Sequence, residues 1–321
     1  MRRALALLAT VLLAHSTAIA QSSKEVVRIP RPKDVRIGRI DFSRDGKRMA
    51  VSCSDHRIRV WQLPSGEFLR ELESGEDRIS AMAFSPDGGR LAVGSPSGDL
   101  RLLDVANGGL VAKASTGSRA VVEVMFAPRA PRLAVLPEGT PGQLWALSPL
   151  ERRGDLATDF GGSVAVDFSP DGRMLATADE DTHVRIYRAE DGRLQAASND
   201  FVLEPFTLGF ARRGEWVVVG GADGRLTLID PATGKTLRQL ARQPDPVAAL
   251  AVLGEGRTAA AAYFHADAMS RPAPLLLWDL DAGSSRVVSA EARIQGGGRL
   301  NDGRLRLVTL TDEEFMIWDL P

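Results

Sequence analysis

The sequence predicts an all-β fold of seven four-stranded antiparallel blades, arranged radially as a β-propeller. Two columns of residues recur every 42 positions, and each repeat contains short alternating apolar runs separated by tight turns. A period of roughly 20 to 50 residues is typical of stacked repeat architectures. The composition agrees, because 31 glycines, 18 prolines and 6% aromatic residues favour many short elements over a few long helices.

The two columns set the length and the number of the repeats. Phenylalanine recurs at intervals of 42 residues, and the second column follows each phenylalanine by 19 residues. In the sixth repeat the two columns are 26 residues apart, so this repeat carries seven extra residues. The first column is Phe42, Phe84, Phe126, Phe168, Phe210, Val252 and Leu300, and the second is Trp61, Leu103, Trp145, Tyr187, Ile229, Trp278 and Trp318.

Each repeat has the pattern of four short strands. The first strand ends at the phenylalanine column, and a turn such as Ser85-Pro86-Asp87-Gly88 leads to the second. In this turn proline presets φ, aspartate caps the backbone and glycine accepts a positive φ. The third strand carries the second column, and a further turn leads to a polar fourth strand. Such a sheet has apolar residues on both faces, so the repeats must stack.

The two ends of the chain predict how the ring closes. The last repeat stops after its third strand at Trp318, Asp319, Leu320 and Pro321. The segment from Lys24 to Ile29 precedes the first repeat and has the alternation of a strand. We therefore expect this N-terminal segment to be the fourth strand of blade seven.

Several motifs resemble those of the WD40-repeat family, and the resemblance covers the whole chain after residue 20. It rests on the Ser-Pro-Asp-Gly turns, on the Trp278-Asp279 and Trp318-Asp319 pairs, and on an aspartate six residues before the second column. The resemblance implies a propeller fold and, less specifically, a function in protein interaction. The aspartates of this last group are Asp55, Asp181, Asp223 and Asp312, with Gly139 and Pro272 at the corresponding positions of repeats three and six.

The chain departs from the family pattern at one place. The Gly-His dipeptide that opens a typical WD40 repeat is missing from every repeat, so the family's Asp-His network cannot be transferred. We expect the aspartates before the second column to cap tight turns instead.

The first 20 residues have the pattern of a bacterial secretory signal. Arg2 and Arg3 precede an apolar run from Ala4 to Ala14, and Ala18-Ile19-Ala20 is a small-x-small cleavage site before Gln21. The run is shorter than the roughly 20 residues that a bilayer requires. The sequence therefore predicts a signal peptide at residues 1–20 and a single propeller domain at residues 21–321. The protein is expected to be periplasmic or secreted, with no membrane insertion after cleavage.

Composition argues against several classes of function. A net charge of -1 gives no attraction to nucleic acid, and the single cysteine, Cys53, cannot form an intrachain disulfide and is expected to be buried. His56, His183 and His265 lie in three different repeats, at no metal-ligand spacing. No catalytic, cofactor-binding or metal-ligating residue is predicted, and no cofactor.

Two regions are candidates for binding. Charged residues on the inner strands are candidates for lining the central channel, although they also suit ion pairs or contacts with channel water. The insertion in repeat six carries aromatic, Met and Arg side chains, which are enriched at interfaces, although a tolerated loop insertion explains it equally. The channel candidates are Arg39, Asp41, Glu123 and Asp167, and the loop candidates are Tyr263, Phe264, Met269 and Arg271.

These observations favour a monomeric, non-catalytic protein-interaction scaffold whose partner is another protein or a peptide. One alternative is a periplasmic propeller enzyme of the lactonase, lyase or quinone-dependent dehydrogenase type. Such enzymes require histidines, metal-binding carboxylates or cationic cofactor clamps near the axis. A second alternative is a propeller that binds a glycan or a peptide without turnover, which the sequence does not separate from a scaffold.

Overall fold

The predicted seven blades are present. A computed structural model describes residues 24–75, 77–117, 119–199, 201, 203–253, 255–263, 273–292, 294–300, 304–310 and 313–320. Within these ranges the chain forms 28 strands in seven four-stranded antiparallel sheets. One 3-10 turn, Arg212–Gly214, interrupts the strands of blade five, and no described helix has the length and apolar character to span a bilayer.

In blades one to six the strands follow one another in chain order from the axis to the rim, and in blade seven the rim strand is β1. They are β1 (Lys24–Pro30), β2 (Ile37–Phe42), β3 (Arg48–Cys53), β4 (Arg57–Gln62), β5 (Phe68–Glu73), β6 (Ala81–Phe84), β7 (Arg90–Gly94), β8 (Asp99–Asp104), β9 (Leu110–Ser115), β10 (Val121–Phe126), β11 (Arg132–Pro137), β12 (Gln143–Leu147), β13 (Leu150–Asp155), β14 (Ser163–Phe168), β15 (Met174–Asp179), β16 (Val184–Arg188), β17 (Leu194–Ser198), β18 (Pro205–Ala211), β19 (Trp216–Gly221), β20 (Leu226–Ile229), β21 (Thr236–Gln239), β22 (Val247–Leu253), β23 (Thr258–Tyr263), β24 (Ala273–Asp279), β25 (Ser284–Ala292), β26 (Ile294–Arg299), β27 (Leu305–Leu310) and β28 (Glu314–Leu320).

The ring closes as the sequence predicts. Strand β1 pairs antiparallel with β28, with Ile29 opposite Phe315 and Val27 opposite Ile317. It is therefore the fourth strand of blade seven, in the order β1-β28-β27-β26. The first strand of each blade contacts that of the next, and β26 of blade seven contacts β2 of blade one.

In blades one to six the two sequence columns form one buried row across the blade. In blade two Phe84 lies opposite Leu91, and Leu91 lies opposite Leu103. This row packs against Ile58 and Val60 of blade one. The same arrangement in blades one and three to six buries one face of each blade against its neighbour, which is why the columns keep their period.

The hairpin turns use the chemistry that their sequence predicts. Ser85 Oγ donates to Asp87 Oδ1 at 2.5 Å, and the backbone N–H of Arg90 donates to Ser85 Oγ at 2.9 Å. Gly88 has a φ of 68°, a value at which a side chain is strained. The turn thereby connects the first two strands while its side chains bind the backbone N–H groups of Gly89 and Arg90.

The aspartates that precede the second column cap turns, as expected. Asp55, Asp181 and Asp223 each accept the backbone N–H of the residue two positions later, at 3.3, 3.2 and 3.0 Å. Asp312 and Pro272 lie outside the described residues, and Gly139 occupies its turn with a φ of 61°. Cys53 is a buried free thiol, also as expected.

Candidate functional site

The inner strands use two of the predicted channel residues to hold neighbouring blades together. Asp41 Oδ2 accepts the backbone N–H of Phe84 in the next blade at 2.7 Å. Asp167 Oδ2 accepts the backbone N–H of Phe210 in the next blade at 2.8 Å. Each carboxylate precedes its own phenylalanine by one residue, so the same contact recurs three blades apart. Both side chains therefore satisfy a backbone donor of a neighbouring inner strand.

The other two channel candidates make related contacts. Arg39 Nε donates to the main-chain oxygen of Ser80 in blade two at 2.7 Å. Glu123 accepts the backbone N–H of Val166 in blade four. Burial, and then the nearby carboxylate of Asp167, raise the pKa of Glu123 to about 8, although Arg39 opposes this shift. Burial also raises the pKa of Asp41 to about 6. Binding of a ligand by these four residues stays a prediction.

Tyr263 is not on the surface, which corrects its placement in the insertion of repeat six. It is the last residue of β23 and is 1% exposed. Its hydroxyl accepts the indole N–H of Trp278 at 3.0 Å, and burial raises its pKa to about 12. Phe264, Met269 and Arg271 lie outside the described residues, so their contribution to partner binding stays a prediction.

A charged cluster that the sequence did not predict lies in blade four, around Arg185. The Arg185 side chain is 4% exposed. Its Nη1 lies 2.7 Å from Asp179 Oδ2 and 2.9 Å from Asp181 Oδ1. Its Nη2 lies 2.7 Å from Asp181 Oδ2 and 2.8 Å from Asp159 Oδ2. One guanidinium therefore contacts three carboxylates, and the side chain of Asp159 is 75% exposed.

The carboxylates of this cluster differ in their acidity. Although burial raises it, hydrogen bonds from Arg185 and from the backbone hold the pKa of Asp181 at about 2. Burial raises the pKa of Asp179 and outweighs the bonds from its neighbours. Asp179 Oδ1 has no hydrogen-bond partner within the described part of the chain. The cluster thus carries more negative charge than its single arginine balances.

Three members of this region have the geometry of a possible cation site. Ligand atoms of Asp159, Asp181 and His183 lie within 4.8 Å of one another. However, the Arg185 guanidinium already binds both carboxylates, and His183 Nδ1 lies 2.9 Å from the main-chain oxygen of Asp181. The Arg185 guanidinium therefore already pairs with the two carboxylates that a metal ion would need. The expectation of no bound metal stays a prediction.

The sequence contains only part of the signal for this cluster. Asp179 and Asp181 flank the turn before Arg185, a local pattern that also suits solvated turn carboxylates. Asp159 lies 26 residues before Arg185, in the loop that enters the blade. Only the folding of that loop over the turn brings it to the arginine.

Comparisons with known proteins agree with this architecture. The anaphase-promoting complex subunit 4 WD40 domain matches residues 6–85 and 72–128, and the WD domain, G-beta repeat, matches residues 155–188. Together with the seven blades described above, these matches identify the fold family. The chain belongs to the WD40-repeat family of β-propellers.

The WD40 repeat matched at residues 155–188 contains the whole Arg185 cluster. The protein groucho of Drosophila melanogaster is 34% identical to this chain over 68 residues. That similarity covers 21% of this WD40 protein and 9% of the Drosophila protein. The chain thus corresponds to a small part of this relative's length.

Proposed function

We propose that this WD40 propeller is an exported, monomeric, non-catalytic scaffold that binds another protein. The observation that carries the binding role is Phe160, whose large apolar side chain is 68% exposed on a loop that is fixed by hydrogen bonds at both ends. An exposed apolar group on a rigid support is typical of an interaction surface.

Two further observations support the proposal. The channel carboxylates Asp41 and Asp167 accept backbone N–H groups of neighbouring blades, which is a structural use of their charge. In addition, one of the matching family descriptions is that of a WD40 domain from a subunit of a protein complex. Both favour assembly with another protein over catalysis.

Export is tested by expressing the full chain with a C-terminal tag in a Gram-negative bacterium and fractionating the cells. We expect the tagged protein in the periplasm or the medium, with Gln21 as its N-terminal residue. A matched variant with Leu7→Arg and Leu8→Arg should remain in the cytoplasm, because charges interrupt the apolar run of the signal. Recovery of the unaltered chain in the cytoplasm with Met1 or Arg2 at its N-terminus contradicts export.

Binding is tested by chemical cross-linking of the tagged protein in intact cells of its native host, followed by purification and mass spectrometry. We expect the protein to purify alone as a monomer by light scattering and to cross-link in cells to a protein at near-stoichiometric yield. Absence of any cross-linked protein above the level of an unrelated exported control contradicts the scaffold proposal.

Glu123 is the observation that favours the alternative functions. Its raised pKa is of the kind that a general acid requires near neutral pH. The discriminating experiment compares the wild type with Glu123→Gln in lactone-hydrolysis, lyase and quinone-reduction assays and on a glycan array. Turnover or glycan binding that the substitution abolishes would replace the scaffold proposal. Inactivity of both proteins agrees with the structural contacts of this residue.

A further inference from the structure

The loop at residues 156–162, here called the Phe160 loop, joins β13 of blade three to β14 of blade four. Phe160 has the highest exposure among the large apolar side chains of the described residues. The corresponding loop into the next blade carries Leu203, which is 49% exposed. Two adjacent loops therefore present apolar groups to solvent at the same end of the propeller.

The Phe160 loop is fixed before any partner arrives. At its beginning, the Leu156 N–H donates to Gly142 at 2.7 Å, and the Tyr187 hydroxyl donates to the main-chain oxygen of Ala157 at 2.7 Å. At its end, the Gly162 N–H donates to Glu180 Oε2 at 3.0 Å, and the Glu180 N–H donates back to Gly162 at 2.9 Å. A loop held at both ends loses little entropy on binding.

The surroundings of Phe160 are acidic. Asp159 precedes it in the loop, and Glu180 and Asp181 lie in the turn that holds the loop. Asp159 and Asp181 share one arginine, Arg185, and Glu180 accepts the Gly162 N–H beside them, so the carboxylates of this group outnumber its arginine even when the buried Asp179 is left out. The excess favours a partner with positive charge.

Asp159 is the carboxylate that an incoming cation can reach. It is the exposed partner of Arg185, whereas the side chains of Asp179 and Asp181 are fully buried. If Asp159 turns to an external guanidinium, Arg185 keeps its bonds to the two buried carboxylates. The exchange therefore leaves no buried charge unpaired, which removes the main cost of breaking such a pair.

From these contacts we propose that the Phe160 loop docks a basic, apolar segment of a partner protein, in which arginine or lysine alternates with aliphatic residues. A guanidinium of the partner pairs with Asp159 and stacks on the Phe160 ring, and its aliphatic neighbours cover Phe160 and Leu203. This inference rests on the scaffold function proposed above and names the chemistry of the partner.

The test measures the fluorescence anisotropy of labelled peptides with the full-length protein. The probes are an alternating Arg-Leu peptide, a Glu-Leu peptide of the same length, and an Arg-Ser peptide that keeps the charge without the apolar residues. We expect the Arg-Leu peptide to bind at least about tenfold more tightly than either other peptide. Its affinity should fall as salt rises.

Matched variants locate the binding surface. Phe160→Ala and Asp159→Asn should each weaken binding of the Arg-Leu peptide, by about tenfold for Phe160→Ala. The controls are Leu237→Ala, which removes a similarly exposed apolar side chain from β21, and Glu151→Gln, which removes an exposed carboxylate from β13. Both controls should bind as the wild type does. Melting curves confirm that each variant is folded.

Equal binding of the Arg-Leu and Glu-Leu peptides overturns the proposal, as does unchanged binding by a folded Phe160→Ala variant. Concentration-dependent dimerisation that Phe160→Ala abolishes overturns it too, because the occupant is then a second copy of this chain. If a folded variant that combines Phe160→Ala with Asp159→Asn still cross-links a partner in cells, the scaffold function stands and only the loop assignment fails. If peptides bind as expected but no partner cross-links in cells, the scaffold function fails.

Discussion

Two buried arginines, Arg306 and Arg185, lie at opposite ends of the propeller. Both pair with aspartates, but they differ in the number and the exposure of the carboxylates around them. Arg306 of blade seven pairs with both oxygens of Asp319, at 2.6 and 2.9 Å. It also donates to the main-chain oxygen of Gly46 in blade one and lies 6.0 Å from the ring of Phe42. Its contacts thus join the last blade to the first.

Arg185 instead belongs to a group with an excess of carboxylates, one of which is largely exposed. At Arg306 the buried carboxylate also accepts Arg304 Nη1 at 2.7 Å, so two guanidinium groups neutralise one carboxylate and no negative charge is left over. The difference teaches that a buried carboxylate whose charge is fully neutralised has a structural role, because removal of its partner leaves an unpaired buried charge. An unbalanced pair that opens to solvent is instead available to a partner.

The largest expected effect comes from removing the closing strand beside Arg306. Deletion of residues 21–32 eliminates β1, whose Ile29 is buried against Phe315 and Trp61. We expect a loss of about 4 kcal/mol in the free energy of unfolding, because the buried Ile29 contributes about 1.5 to 3 kcal/mol and the half-buried Val26 and Val27 add smaller amounts. Thermal denaturation followed by circular dichroism measures the change.

Deletion of residues 21–23 alone is the control for that truncation and should melt as the wild type does. A truncated protein without residues 21–32 that keeps the wild-type melting curve would show that the pairing of β1 with β28 contributes nothing to stability.

Substitution of Arg306 tests the balanced arginine directly. Arg306→Met leaves Asp319 buried with only Arg304 as its partner, and we expect a loss of about 3 kcal/mol in urea denaturation. Adding Asp319→Leu should restore at least half of this loss, because the unpaired charge is then absent. If the double variant is as unstable as Arg306→Met, the ion pair with Asp319 is not the source of the stability that Arg306 provides.

The pH dependence of stability tests a third buried charge, Glu123. Its pKa in the folded state is about 8, above the ordinary value of 4.5, so between these values the folded state binds a proton that the unfolded state does not. Protonation of this residue therefore stabilises the fold at low pH, and this contribution is lost as pH rises from about 4.5 to about 8.

Glu123→Gln removes this titration. We expect the stability of the variant, relative to the wild type, to increase between pH 5 and pH 9 in urea denaturation. Glu151→Gln, at an exposed carboxylate, should keep the wild-type profile. Parallel profiles for the wild type and Glu123→Gln would show that this carboxyl titrates alike in the folded and unfolded states.

The smallest expected effect sharpens the contrast between the two arginines. Asp159→Asn removes only the exposed partner of Arg185, and we expect the free energy of unfolding to change by less than about 1 kcal/mol, as for other exposed pairs. Urea denaturation beside Arg306→Met makes the comparison. A loss as large as that of Arg306→Met would assign the Arg185 cluster to stability and not to binding.

Much of the fold was predictable because it depends on local patterns that repeat. The column from Phe42 to Phe210 marks the ends of the first strands of blades one to five to within one residue, and turns such as Ser85 to Gly88 specify their own backbone conformation. The sequence also shows that the last repeat lacks a fourth strand and that an additional strand, beginning at Lys24, precedes the first repeat. These two features together predict the closure of the ring. In each case the constraint acts within one repeat or at a fixed period.

The candidate sites were less predictable because they join residues from different blades. Asp41 was identified as an inner-strand carboxylate, yet its acceptor role depends on the N–H of Phe84 in the next blade. Tyr263 was expected in a surface loop, and only the position of Trp278 across the sheet shows that its hydroxyl is a buried acceptor.

The sequence by itself therefore determined the number of blades, their turns and the closing strand, since hydrophobic period and turn chemistry are local properties. The tertiary structure alone decided which charges are balanced. Asp159 meets Arg185, and Arg306 meets Gly46, only when blades and loops pack together. Burial makes an unpaired charge costly, whereas an exposed charge stays available to a partner. Neither the burial nor the pairing of a charge is a property of a residue in isolation.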